Sequence, residues 1–545
     1  MFQERATEFA DGRGRPTERA TRQREWVVMR KGFYSPGLTR PRVSDPAKAG
    51  RIPREIIEFF HGVGGHSLIV KGPAGTGKTT FALQLTEELG QVAASHYLST
   101  RVSDASLYNQ FAWLRERLKP PEAPAAKKDA KPAAQLSRKA LNILTGKLER
   151  GELAEDDEGA ERPGADVREG FLDVELGQDL PEVEMAYDFV ERSLPGRSLI
   201  LIDSIDALAE RYGIAAPRLI NTIQQDLVES SGANVLYVLE GSGETRLDYL
   251  GDGVVSFVSS DHHGRRLRVM TIEKLRGQEV RQHRYLYTLD GGRLMAFDIA
   301  EKPKIAKAQP WKAHADLSKD AVSTGIPPLD ALVGGLARGR VTAFEITNSV
   351  PSEYIDWLRL AMICNAAAQG RGVAHVPPRK GTTDFLRELV SPHLAAGAFE
   401  ANVRVFEPAS LGHAEQSTNA LPLEGSNVDA DLKWSNVEYR LPQASRPFLA
   451  FMAFDTLESM YGEKVIEEMS GVLASVRRAR DTFVGFATPG SASAPKLANL
   501  ASVLLHVESV NGSVVLYGDK PYTGVYNLSF DWSTGRPEAQ LRPIV

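Results

Sequence analysis

The sequence predicts an α/β fold built as two tandem domains, each a mostly parallel sheet covered by helices, the second a degenerate copy of the first. Three features predict it. Short strands that are apolar throughout alternate with amphipathic helices, which is the pattern of strands buried on both faces. A glycine-rich loop joins one such strand to one such helix near the start of the chain. Farther on, a similar strand, loop and helix return without the glycines.

At 545 residues the chain is long for a single core, and two large domains fit it best. Apolar content of 42%, charged content of 25% and a net charge of -5 give no overall pull toward nucleic acid or membrane. The single cysteine, Cys364, excludes an intrachain disulfide framework and a zinc site made of cysteines. No run of apolar residues is long enough to span a bilayer, and no signal peptide is evident, so a cytoplasmic location without membrane contact is expected.

Residues 1–50 carry a surplus of five positive charges with little apolar periodicity, and read as a weakly structured arm. Such an arm reads more readily as a solvated tail than as a docking element for an acidic partner or nucleic acid. The first domain is expected over 51–305. Its strands are SLIVKG, HYLST, SLILIDS and NVLYVLE, and TTFALQLTEEL and PRLINTIQQDLVES repeat at helical spacing. A Pro/Ala-rich, charged stretch at 119–168 interrupts the domain and reads as an exposed insertion.

The second domain is expected over 306–545. VTAFEITNSVPSEYIDWLRLA, from Val341 to Ala361, has the outline of a phosphate-binding strand, loop and helix, with Glu345, Asn348 and Pro351 where the cradling residues would stand. Aligned by the preceding strand, Lys78 falls near Pro351. PFLAFMAFDTLESMYG is set against SLILIDSIDALAERYG, which makes Asp455 the counterpart of Asp203.

Gly72, Pro73, Ala74, Gly75, Thr76, Gly77, Lys78 and Thr79 match G-x-x-x-x-G-K-[ST] between a strand and a helix, and Thr80 continues the motif into the helix. Glycines let successive N–H groups turn into one concavity, and the helix adds its positive end there. Lys78 is expected to reach the β and γ phosphates of a nucleotide and Thr79 to offer its hydroxyl to Mg²⁺. Asp203, closing SLILID, either joins the metal shell or caps the next helix, a task Ser204 or Asp206 would also perform. Glu240, after VLYVL, either faces the nucleotide or caps a loop. Lys274 and Arg276 are cations presented to a nucleotide or the polar face of an edge hairpin. The basic stretch from His262 to Arg284 reads more readily as a solvated hairpin than as a surface for nucleic acid.

These residues resemble the RecA-like ATPases of the KaiC type, on the P-loop strand, Asp203 after SLILI, DYLGDGVVSF and the hairpin RRLRVMTIEKLRG. Within that group IPREIIEFF, YLSTRVSDASLYNQFAWL and LDYLGDGVV resemble the gas-vesicle regulatory protein D (GvpD) family, P-loop proteins that regulate gas-vesicle formation. The resemblance implies two RecA-like domains and ATP with Mg²⁺ at 72–80 and Asp203. It also implies that Lys274 and Arg276 reach a neighbouring subunit's nucleotide in a homo-oligomer such as a hexameric ring. KaiC-type ATPases carry paired glutamates after the second strand, where this chain has Ser99, Thr100 and Arg101. Hydrolysis is therefore expected to be weak, with Glu240 the remaining carboxylate for water. The expected role is ATP-dependent control of a regulatory protein partner, and the alternative is a recombination or repair ATPase of the RecA kind acting on DNA.

Overall fold

The computed structural model describes residues 52–90, 93–99, 107, 109–115, 180–241, 246–299, 307–378, 381–411 and 417–545. The arm at 1–50, the insertion at 119–168 and both Thr100 and Arg101 lie outside the described residues. Residues 50–545 group as one compact unit that holds two large sheets.

The first sheet is made of β1 (Ser67–Lys71), β2 (Ala93–Ser99), β3 (Arg197–Asp203), β4 (Asn234–Leu239), β5 (Gly253–His262), β6 (Arg265–Leu275), β7 (Arg284–Thr288) and β8 (Met295–Phe297). Its order is β2-β3-β4-β1-β5-β6-β7-β8, parallel from β2 to β5 and antiparallel beyond. All five residues of β1 are buried because alternate side chains enter different cores. Leu68 and Val70 pack with Phe81 of helix Lys78–Leu89 on one face. Ile69, Ile200 and Tyr237 pack on the other face, against helices Pro181–Ser193, Ile205–Tyr212 and Ala216–Ile223. The apolar strands and the two periodic segments of the first half thus form the elements their patterns predict.

A small ribbon pairs β9 (Ala321–Val322) with β10 (Leu336–Ala337) and leads into the second sheet. That sheet holds β11 (Val341–Ile346), β12 (Arg371–Val376), β13 (Val403–Pro408), β14 (Ala420–Leu423), β15 (Ser445–Ala453), β16 (Thr482–Ala487), β17 (Val503–Val510), β18 (Ser513–Lys520), β19 (Tyr526–Asp531) and β20 (Glu538–Pro543). Its order is β14-β13-β12-β15-β16-β11-β17-β18-β19-β20, parallel up to β17 and antiparallel after it. Helix Ser352–Ala368 buries most of its length against one face, through Trp357, Leu360 and Ile363 among others.

The antiparallel ends of the two sheets share one core. Leu267, Leu286 and Phe297 from the first sheet pack with Val515, Tyr517, Val525 and Ile544 from the second half. Arg265 reinforces this contact, donating to the carbonyls of Thr523 and Gly518 and to Asp519 at 2.7 Å each, with its guanidinium over the rings of Tyr517 and Tyr522. No helix among the described residues is long and apolar enough to cross a membrane.

Candidate nucleotide-binding site

The carboxyl ends of β1, β3 and β4 lie side by side, which is where open α/β sheets bind ligands. The loop leaving β1 has the shape its glycines permit. Gly72, Gly75 and Gly77 take φ of +152°, +76° and +95°. A side chain is excluded at Gly72, where a Cβ would stand 2.4 Å from the Phe257 carbonyl oxygen, and is disfavoured at Gly77 by its φ and by Leu289 Cδ2 at 2.8 Å. Helix Lys78–Leu89 starts from Gly77, whose lack of a side chain leaves no cap between the loop and the helix's positive end.

Lys78 is buried, and its Nζ donates to the carbonyls of Gly72 at 2.6 Å and Pro73 at 3.0 Å, which keeps the ammonium over the loop. Thr76 Oγ1 donates to Pro73 O at 2.8 Å and Tyr287 OH to Thr76 O at 2.5 Å, tying the loop to itself and to β7. Arg268 on β6 donates to Gly75 O at 3.1 Å and also to Val545 O at 2.5 Å.

Thr79 Oγ1 donates to Asp203 Oδ2 at 2.6 Å, and Tyr97 OH donates to the same oxygen at 3.0 Å. The hydroxyl and the carboxylate expected to serve a metal are therefore together. Capping of the following helix falls to Ser204, whose Oγ accepts from Ala207 N at 3.4 Å. Tyr97 has no place in the motif reading, because an aromatic residue in an apolar strand reads as core. Burial and the neighbouring Asp203 push its phenol well above the ordinary range, so it stays a donor.

Glu240 follows Leu239, which pairs with Lys71, and so stands at the same edge as the loop, exposed, with its N–H donated to Asp206 Oδ2 at 2.8 Å. Ser99 ends β2 opposite Asp203. Lys274 and Arg276 lie at the other edge, where β6 ends beside the start of β5. Lys274 Nζ donates to Gly251 O at 2.6 Å, and Arg276 pairs with Asp252 at 3.0 Å. The chain does not bring them to its own loop. Just below the loop, Lys71 is enclosed by Asp248 at 2.8 Å and Glu273 at 2.9 Å. Burial opposes its charge, but these two carboxylates outweigh it and raise its pKa.

In the second half, the loop from Thr347 to Pro351 joins β11 to helix Ser352–Ala368. Glu345 is not in that loop. It belongs to β11, with its carboxylate 3.2 Å from His506 Nδ1 on β17, because strand register sends it toward the neighbouring strand. The pairing of Asp455 with Asp203 also needs correction. Asp455 lies inside helix Phe454–Tyr461, as Asp206 lies inside helix Ile205–Tyr212. Each accepts the N–H of the first residue beyond the neighbouring strand, Glu240 for Asp206 and Thr488 for Asp455, the latter at 3.2 Å. Counting back from the helices, Asp203 corresponds to Met452, a buried apolar residue. A cavity of about 670 Å³ opens at this edge, lined by Asn348, Pro378, Asp455, Glu458, Thr488, Gly490 and Ser491. Against the upward push of burial, hydrogen bonds from Ser493 and Ala492 hold the Glu458 carboxyl below the usual range.

A family profile described as the P-loop domain of the GvpD gas vesicle protein matches residues 56–273, the span that carries the loop, Asp203 and most of β6. Residues 56–273 are thus similar to the P-loop domain of GvpD proteins. Two similar curated proteins are both from Halobacterium salinarum. Protein GvpD2 is 26% identical over 531 residues, covering 93% of this chain and 99% of the relative. Protein GvpD1 is 22% identical over 578 aligned positions, covering 94% and 100%. The GvpD likeness therefore extends along both sheets, beyond the profile's own span. A P-loop domain implies nucleotide binding, and the uncapped helix start, the glycine path and the buried ammonium of Lys78 all fit a polyphosphate. The Thr79–Asp203 pair fits a magnesium ion held with it.

Proposed function

We propose that this protein is a nucleotide-switched regulator acting in gas-vesicle formation, in which Mg-ATP at residues 72–80 controls access of a protein partner in the cytoplasm. The observation that carries this reading is the double contact of Arg268. One guanidinium donates to Gly75 O in the phosphate loop and to Val545 O at the end of the second sheet. A shift of the loop on binding phosphate changes what Arg268 holds, and the shared core of Leu267, Tyr517 and Ile544 gives that change a path between sheets.

The second sheet serves as scaffold and contact surface, a degenerate RecA-like copy of the first. Its central order β12-β15-β16-β11-β17-β18 repeats β2-β3-β4-β1-β5-β6. It has Met452 in place of the metal carboxylate, and the loop Thr347-Asn348-Ser349-Val350-Pro351 offers neither glycine nor lysine. Asp455 and Glu458 in the nearby cavity oppose a triphosphate.

ATP turnover is slow in this account, because Ser99 stands where a catalytic glutamate would begin and Glu240 alone is left to orient water. Lys274 and Arg276 act on a neighbouring subunit's nucleotide in a homo-oligomeric ring. Two arginines of the basic hairpin, Arg265 and Arg268, are buried and spent on internal acceptors, which favours a protein partner over DNA.

The test is nucleotide binding and its consequence. Lys78→Ala should weaken ATP binding at least roughly 10-fold, as expected from the loss of a charged hydrogen bond of about 1.5–3 kcal/mol. In the wild-type chain, ATP should slow amide exchange both at the loop and in 525–544. Unchanged ATP affinity in the variant, or protection confined to the loop, contradicts the reading.

A further inference from the structure

The hairpin between β5 and β6 ends in a tight turn, His263-Gly264, with φ of +52° and +75°. His262 pairs with Arg265 across it, which gives the two-residue turn its primed geometry. The turn is seated on the second half of the molecule. Tyr522 OH donates to Gly264 O at 2.8 Å, and Arg265 is anchored to Gly518, Asp519 and Thr523. Held this way, both histidine rings stand over Glu508 of β17.

The three donors converge. Glu508 Oε1 lies 3.4 Å from His262 Nε2 and 4.0 Å from His263 Nε2, and the three ligand atoms lie within 4.8 Å of one another. His262 Nε2 is buried and makes no hydrogen bond, although the carboxylate is in ion-pair range. A ring nitrogen shut away from water and aimed at a carboxylate without bonding it is a costly arrangement for two organic groups alone.

A cation between them resolves it. Two imidazoles and one carboxylate form a recurring ligand set for zinc and similar ions, and metal–ligand bonds of about 2.0–2.1 Å in tetrahedral geometry put donors roughly 3.3–3.5 Å apart. The surroundings suit such an ion. The ring of Tyr517 stacks on His263 with centroids 5.7 Å apart and meets His262 edge-on. His262 and Glu508 are shielded, whereas the His263 side chain is 63% exposed and leaves a path from solvent.

We propose that His262, His263 and Glu508 form a binding site for a zinc-class divalent cation that staples the first sheet to the second. It is separate from the nucleotide site and does not depend on that reading. The ion joins a hairpin of one half to a strand of the other, beside the core that both share.

The experiment uses the full chain, stripped with a chelator and saturated with Mg²⁺ to fill any magnesium site, then titrated with Zn²⁺. The expected result is one Zn²⁺ per chain with a rise in Tm, and an X-ray absorption edge fitted by two imidazoles with oxygen. His263→Asn, a residue that tolerates positive φ, and Glu508→Gln should each weaken binding by more than the roughly 10–100-fold that loss of an orienting partner costs, with unchanged circular dichroism. No zinc uptake by the wild-type chain, equal uptake by both variants, or a sulfur or all-oxygen ligand shell would each overturn the assignment.

Discussion

Gly72 fixes where the phosphate loop can go. Its φ of +152° and the Phe257 carbonyl 2.4 Å from any added Cβ leave no room for alanine. Gly72→Ala should displace the loop, weaken ATP binding and destabilise the fold by about 1–3 kcal/mol, read from the urea midpoint. A second single-residue test lies in the other half. Burial, with the Arg359 guanidinium alongside, pushes His375 down from 6.5 to about 3. The unfolded chain therefore takes up this proton at a higher pH than the folded one, so stability is full above about 6.5 and declines as pH falls toward about 3. His375→Gln should flatten that acid slope in denaturation measured across the window. At this scale the motif residues were legible because glycine, lysine and threonine are each required by the phosphate cradle. Tyr97 was not, since only the fold shows that its hydroxyl meets Asp203.

The strands of the first sheet were readable for a simple reason: parallel strands covered on both faces must be apolar through their middles, and the LIV of SLIVK and the LILI of SLILID are. The relation between the halves was harder. A shared acid pattern put Asp455 beside Asp203, whereas the helices place it with Asp206, because identical residue types recur one turn away from the strand end. Glu345 was assigned to a loop that begins only after Ile346. Contacts between distant segments, such as Arg268 with Val545 and the hairpin with β17, leave no local trace in the sequence. Arg268→Ala tests one of them. It should leave the P-loop motif intact yet reduce the ATP-induced protection of 525–544, and full protection in the variant would remove Arg268 from the coupling path.

For the molecule as a whole, two sheets of like order share one core, and the glycine-lysine loop belongs to the first. The fold survives without its ligand because helix Ser352–Ala368 still buries Leu358, Leu360 and Ile363 on the sheet whether or not a phosphate lies at its start. Under the proposed function, one working nest and one retired copy make a chain in which binding at one end is reported at the other. The stoichiometry of ATP at saturation, measured by calorimetry with Mg²⁺ on the full chain, tests this most directly. One ATP per chain is expected, its affinity cut at least roughly 10-fold by Lys78→Ala; two per chain, or an affinity that this substitution leaves unchanged, would contradict it.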